Sequence, residues 1–209
     1  MFGVVREYSV EASEVERLVA RIVADFVPLI TRTLGFAAYS IATNDKGELV
    51  TTSLYSDRVG ARASTKLAAE WTEKHAAKVM QAPAYVSEGE LLLVERAANS
   101  ERPAYGVMRR YHFRPSDVPE ILTQVRTNLV PVITRSEGFS SYVVIDAGQG
   151  EIVSLTSFSD KQSSDETSVR ALAWIKEYLS RYGLPPKVST GRIRFRYVDE
   201  AAFAVASVR

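Results

Sequence analysis

The stretch VPLITRTLGF at residues 27–36 returns as VPVITRSEGF at residues 130–139. Working outward, a shift of 103 residues aligns 3–57 with 106–160 without a gap, and 19 of those 55 positions are identical. The matches include breaker and turn positions (Pro28/Pro131, Gly35/Gly138 and Gly47/Gly150) as well as apolar ones. Similarity held in one register over that length identifies a tandem duplication. Two copies, each the size of a small domain, account for the 209-residue chain.

Each copy reads strand, helix, strand, strand, helix, strand. In the first, residues 4–10 form a β-rich run, and Ser13 stands as the N-cap of a helix with Glu14 and Glu16 in its first turn. Val15, Leu18, Val19, Ile22, Val23, Phe26 and Ile30 follow at helical spacing. Pro28 inside this pattern predicts a kink or the end of the regular helix, and Gly35 predicts a positive φ that stops it, as does Gly138 in the second copy. Strands at 36–43 and 48–55 flank the turn at 44–47. A second helix at 61–79 carries Leu67, Ala68, Trp71, His75 and Val79 down one side, and residues 85–94, entered after Pro83, form the last strand. The second copy follows with strands near 106–113, 139–146, 151–158 and 188–198 and helices near 117–136 and 164–182. Ser116 repeats the Ser13 cap, and Ser163, Ser164, Asp165 and Thr167 read as a polar loop and N-cap.

The βαββαβ order implies a ferredoxin-like antiparallel sheet with both helices on one face. Two such sheets packed face to face cover each other's open side. The expected fold is therefore α+β: a tandem duplication of ferredoxin-like units forming an intrachain dimeric α+β barrel. Repeat 1 spans 1–96, a linker 97–103, and repeat 2 spans 104–209. Such a chain is expected to be a monomer with an internal pseudo-dimer, with further homodimerisation left open.

The net charge of +1 gives no general reason to expect a nucleic-acid partner. The absence of cysteine excludes disulfides, thiolate metal sites and a cysteine nucleophile, and agrees with a cytoplasmic location. The opening residues MFGVVREYSVEAS do not read as a signal peptide, and no apolar run has the length of a membrane span. No glycine-rich phosphate loop, nucleophile elbow or zinc motif occurs, and no metal site is expected.

Gly35-Phe36, Tyr39, Ser56-Asp57 and Trp71, repeated as Gly138-Phe139, Tyr142, Ser159-Asp160 and Trp174, resemble the dimeric α+β barrel superfamily and, within it, the antibiotic-biosynthesis-monooxygenase-like domains. The resemblance covers nearly the whole chain, twice. It implies a pseudo-dimeric barrel from one polypeptide and, for some relatives, oxygenase chemistry without a bound cofactor. Other relatives degrade haem, using an asparagine on strand one with a tryptophan and a histidine on or after helix two. This chain has no asparagine on strand one of either copy, and Trp71 and His75 lie only one turn apart.

Several residues are candidates for chemistry. His75, one helical turn after Trp71, can act as a base or pack on the indole; the second copy has Tyr178 there. His112 lies on strand one of the second copy, on the face opposite Arg109, Tyr111 and Phe113. Arg6 and Tyr8, with Arg109 and Tyr111, place a guanidinium and a phenol on one strand face, where they can hold an anionic aromatic ligand or pack between sheet and helices. Tyr39/Tyr142 and Trp71/Trp174 recur, with core packing as the alternative role. Arg192, Arg194 and Arg196 alternate with Ile193, Phe195 and Tyr197, predicting three guanidinium groups on one strand face, either as an anion site or as a guard on an edge strand.

The resulting expectation is a small-molecule-binding protein of the monooxygenase-like group that oxidises an aromatic or quinol-like substrate with no bound cofactor. The rival is a non-catalytic barrel for assembly or ligand sequestration. An enclosed pocket of roughly 300 Å3 between helices and sheet favours the first. A gap filled by the tryptophans and tyrosines favours the second.

Overall fold

The computed structural model describes residues 1–80, 84–98, 102–183 and 185–207; Pro83 and residues 99–101 of the inferred linker lie outside them. Eight strands close a barrel in the order β1-β3-β2-β8-β5-β7-β6-β4. They are β1 Phe2–Ser9, β2 Phe36–Thr43, β3 Glu48–Tyr55, β4 Tyr85–Arg96, β5 Tyr105–His112, β6 Phe139–Gly148, β7 Glu151–Phe158 and β8 Lys187–Val198. The pairs β1–β3, β2–β3, β5–β7 and β6–β7 are antiparallel, as the βαββαβ order requires. Consecutive residues Val107, Met108, Arg109, Arg110 and Tyr111 are all buried, so β5 is covered on both faces.

Two compact units divide the chain: Met1–Glu90 with Arg192–Arg209, and Leu91–Gly191. The divisions fall inside β4 and β8, so the last strand of each copy begins in one unit and ends in the other. A short helix, α5 (Glu200–Ser207), follows β8; among the described residues none follows β4 in the first copy.

The first helix of each copy runs through its proline. In the first copy α1 comprises Val15–Arg21, a widened π-helical turn at Ile22–Phe26, and Val27–Ile30. In the second, α3 comprises Val118–Gln124, a π-helical turn at Val125–Leu129, and Val130–Thr134. A helical proline has no N–H to donate, and its ring collides with the carbonyl four residues back. Just before it the ladder lengthens: the Val27 N–H reaches the Ile22 carbonyl, and the Val130 N–H the Val125 carbonyl. The inserted residue absorbs the clash, so the repeated proline produces a π-bulge rather than a helix end.

The second helices, α2 (Arg58–His75) and α4 (Lys161–Tyr178), start at capping aspartates. Asp57 accepts from the Gly60 N–H at 2.9 Å and Asp160 from the Ser163 N–H at 2.8 Å. These bonds favour the charged form and hold both carboxyls below the ordinary value. Each aspartate closes a junction with the preceding glycine. Gly35 and Gly138 have φ of 69° and 66°, and their carbonyls accept from Ser56 and Ser159. A Cβ on Gly35 would lie 2.4 Å from Ser56 Oγ. The Gly-Phe and Ser-Asp pairs that mark both copies are thus one packed corner.

Three local expectations are corrected. Ser13 and Ser116 cap nothing: each sits in a short 3-10 turn before its helix, with no side-chain cap bond. Residues 163–167 lie inside α4 rather than in a loop, because Asp160 starts the helix earlier. β8 is not an edge strand, since residues 192–198 pair with β2 and a closed barrel leaves no free edge.

Candidate functional site

In each unit the polar candidates face the gap between sheet and helices. In the first unit Arg6 is 2% exposed and donates to Ser53 Oγ at 3.1 Å and Ser64 Oγ at 2.8 Å, with a longer contact of 3.4 Å to Thr65 Oγ1. Thr65 in turn donates to the Glu88 carboxylate at 2.9 Å. Tyr8, Tyr39 and Tyr55 surround this network, and all three are buried. Trp71 packs against Phe26, ring centroids 5.5 Å apart, and Phe26 also meets Tyr39 edge-on at 6.0 Å.

The second unit repeats the plan with fewer bonds. Arg109, 3% exposed, donates to Ser168 Oγ at 3.0 Å. Tyr111 and Tyr142 are buried beside it, and Trp174 is buried on α4. A cavity of about 20 Å3, room for a water molecule or so, lies between α3 and the sheet. Its wall is apolar (Phe113, Val118, Ile121, Val125, Leu129 and others) except for Tyr111, Tyr142 and Ser154. Val125 and Leu129 belong to the π-helical turn, so the bulge forms part of the cavity wall.

The histidines lie elsewhere. His75 ends α2, and its ring rests on Trp71 at 5.3 Å. Tyr178 stacks on Trp174 at 5.2 Å in the same way, so the two residues play the same packing part in the two copies. Arg21 reaches His75 Nδ1 at 3.0 Å and the His75 carbonyl at 3.0 Å. A guanidinium only donates, so Nδ1 accepts and the proton of the neutral ring sits on Nε2. His112 is mostly exposed, 3.3 Å from Glu151, on the strand face that looks away from the cavity.

The arginine stripe is corrected. β8 pairs Ser40 with Arg196 and Thr43 with Arg192, and a bulge falls between Ile41 and Ala42. Cross-strand partners share a face, and Ser40 and Thr43 are three apart, so Arg192 and Arg196 point to opposite faces. Arg194, at the bulge, pairs with Glu16 of α1. The three guanidinium groups do not form one site.

Burial holds the phenols of Tyr8, Tyr39, Tyr111 and Tyr142 above the usual value of 10, and Arg6 or Arg109 offsets this only in part. Because the folded values are raised, the stabilisation is complete below pH 10 and is lost as pH rises through them. The unfolding free energy is expected to fall as pH rises above 10, with these phenolates appearing only as the protein unfolds. An ultraviolet titration in which every tyrosine ionises in the folded state would contradict this.

Of the residues that meet in the gaps, the sequence pointed to Arg6, Arg109, Tyr8, Tyr39, Tyr111 and Tyr142, but not to Tyr55. It missed Ser53, Ser64, Thr65 and Glu88, which complete the Arg6 network, and Leu129 and Ser154, which line the cavity. The signal for Leu129 was present: its aligned partner is Phe26, a change of size at an apolar helix position.

Among the described residues no group of His, Cys, Asp and Glu is arranged to hold a metal ion, and no helix is long and apolar enough to cross a membrane. No protein-family model matches the sequence, and no curated protein is significantly similar to it. Solved structures do match. A putative monooxygenase from Fusobacterium nucleatum superposes with a TM-score of 0.72 at 12% identity, covering 95% of this chain and 94% of its own. One of the same description from Lactobacillus acidophilus gives 0.70 at 8% identity, covering 94% and 95%. An anthrone oxidase-like protein gives 0.65 at 12% identity, covering 94% and 92%. At such identities the likeness speaks for the fold: the chain has the dimeric α+β barrel fold of the antibiotic-biosynthesis-monooxygenase-like proteins, built from two fused ferredoxin-like copies.

Proposed function

We propose that the chain binds a small aromatic or quinol-like molecule in the helix–sheet gap of the second unit and oxidises it with dioxygen, without a bound cofactor. The observation that carries this reading is the make-up of the cavity wall there, not the cavity's size, which is well below the roughly 300 Å3 of a ready-made pocket. Three hydroxyls, from Tyr111, Tyr142 and Ser154, converge in an otherwise apolar wall, the arrangement by which small-molecule sites combine affinity with orientation. The descriptions of structural neighbours as monooxygenase and anthrone oxidase-like proteins support the choice of chemistry. In this reading the apolar wall excludes bulk water, and the hydroxyls orient the substrate oxygen. Neither histidine lies at the cavity, so His75 and His112 have no part in the proposed binding.

A second reading, a non-catalytic barrel that sequesters a ligand or serves in assembly, is favoured by the size of the cavity. At about 20 Å3 it is far below a ready-made pocket, so a substrate enters only if the wall moves. Calorimetry and dissolved-oxygen measurements with hydroquinone and anthrone separate the two. Protein-dependent oxygen uptake that Leu129→Phe removes supports the oxidase. Binding without uptake supports sequestration, and neither binding nor uptake refutes both ligand readings.

A further inference from the structure

We propose that the second unit alone takes the ligand, that the ligand is an anion (a carboxylate or phenolate on an aromatic ring), and that Arg109 supplies the counter-charge. The inference rests on the ligand-binding reading above. It follows from two differences between gaps that are otherwise built to one plan.

The first difference is charge. Arg109 is 3% exposed, its Nε, like that of Arg6, has no partner, and its one hydrogen bond goes to a neutral hydroxyl, Ser168 Oγ. Among the described residues no carboxylate lies within ion-pair distance of it. A guanidinium carries five N–H donors, and a charge removed from water calls for a partner of opposite sign. In the first unit the twin, Arg6, bonds three hydroxyls, and Thr65 relays one of those contacts to the Glu88 carboxylate. The matching position to Glu88 is Thr190, which bears no charge, and Thr167, the twin of Ser64, serves Arg170 instead. The first unit thus has a carboxylate one hydroxyl away from its buried arginine, where Glu88 also pairs with Arg62 at 3.8 Å, and the second has none at the matching position.

The second difference is room. Phe26 touches both Tyr39 and Trp71 in the first unit, ring centroids 6.0 and 5.5 Å away. Its twin, Leu129, is smaller, and the cavity opens beside it. Arg109 does not itself line that cavity, but two of its neighbours do: Ser154, its direct partner across the ladder, and Tyr111, next on its strand face. Phe113, stacked on Tyr111 at 5.4 Å, offers a ring face to an aromatic body. An anionic head beside Arg109 would make the charge-assisted bonds that Ser168 cannot.

Benzoate and benzamide test this, because they share a ring and differ in charge. Calorimetry is expected to show one benzoate per chain, bound about tenfold more tightly than benzamide, the ratio one charge-assisted contact of about 1.4 kcal/mol gives. Arg109→Met, which replaces a buried cation with an apolar chain, should leave the protein folded by thermal melting and abolish the preference. Leu129→Phe, which keeps Arg109, should remove the site. Phe26→Leu combined with Glu88→Thr should raise the stoichiometry to two. Two equal sites in the unaltered chain, equal binding of the two probes, or a preference that survives Arg109→Met would overturn the proposal. Binding of hydroquinone with no binding of benzoate would overturn the anion while leaving the ligand-binding reading standing; failure of all three probes would overturn both.

Discussion

Replacing Trp71 with alanine is expected to lower the unfolding free energy by about 3–5 kcal/mol, the range for removing a buried large aromatic side chain. The indole is 6% exposed, lies against Phe26 of α1, and also meets the His75 ring at 5.3 Å. Its Nε1 has no hydrogen-bond partner, so the loss is one of packing and cavity formation alone. α2 and α1 meet through this contact. Urea denaturation monitored by circular dichroism checks the value. A loss below about 1 kcal/mol would show that the gap collapses around the deletion and that Trp71 is not a pillar of the first unit.

The second large effect is expected at Gly150. Its φ is 83°, and a Cβ there would lie 1.9 Å from the Phe113 carbonyl oxygen and 2.9 Å from the carbonyl carbon. That backbone cannot easily retreat, because the Phe113 N–H is bonded to the Gly150 carbonyl at 2.9 Å. Gly150→Ala combines a left-handed conformation, about 1–2 kcal/mol, with forced displacement of packed backbone, about 1–3 kcal/mol. A total of about 2–5 kcal/mol is expected. Gly148 provides the control. It shares a positive φ of 87°, but a Cβ there meets nothing within 4 Å, so Gly148→Ala should show the conformational part alone. Equal losses in the two variants would assign the whole effect to φ and none to the close approach. Gly47 repeats the Gly150 geometry, with a Cβ 2.1 Å from the Val10 carbonyl oxygen.

The duplication, the βαββαβ order and the barrel were legible in the sequence because they depend on local rules. Helical and strand spacing decide which side chains share a face, so Arg6 and Tyr8 could be placed together, as could Trp71 and His75. A glycine that must take positive φ and a proline that cannot donate leave marks wherever they fall, and the repeat doubled each mark. Even there the sequence stopped short: Pro28 signalled a disturbance in α1, but that it takes the form of a π-bulge follows from the demand that the helix continue across the sheet.

What only the tertiary structure decided is the set of partners. The alternation of Arg192, Arg194 and Arg196 was real, yet a bulge against β2 turned Arg192 and Arg196 to opposite faces and brought Arg194 to Glu16, which is 178 residues away. Arg6 and Arg109 look identical in sequence. One has a carboxylate relayed through Thr65 and the other has none, because Glu88 comes from the last strand, where the two copies slip in register. His75 looked like a base beside an indole, and Arg21, 54 residues away, takes its Nδ1. The contrast of Phe26 with Leu129 acquires meaning only when Tyr39, Trp71 and Tyr142 are seen around it. Backbone conformation and face are properties of a short window of chain. Charge compensation and free space depend on which distant side chains the closed barrel brings together, and no local window contains them.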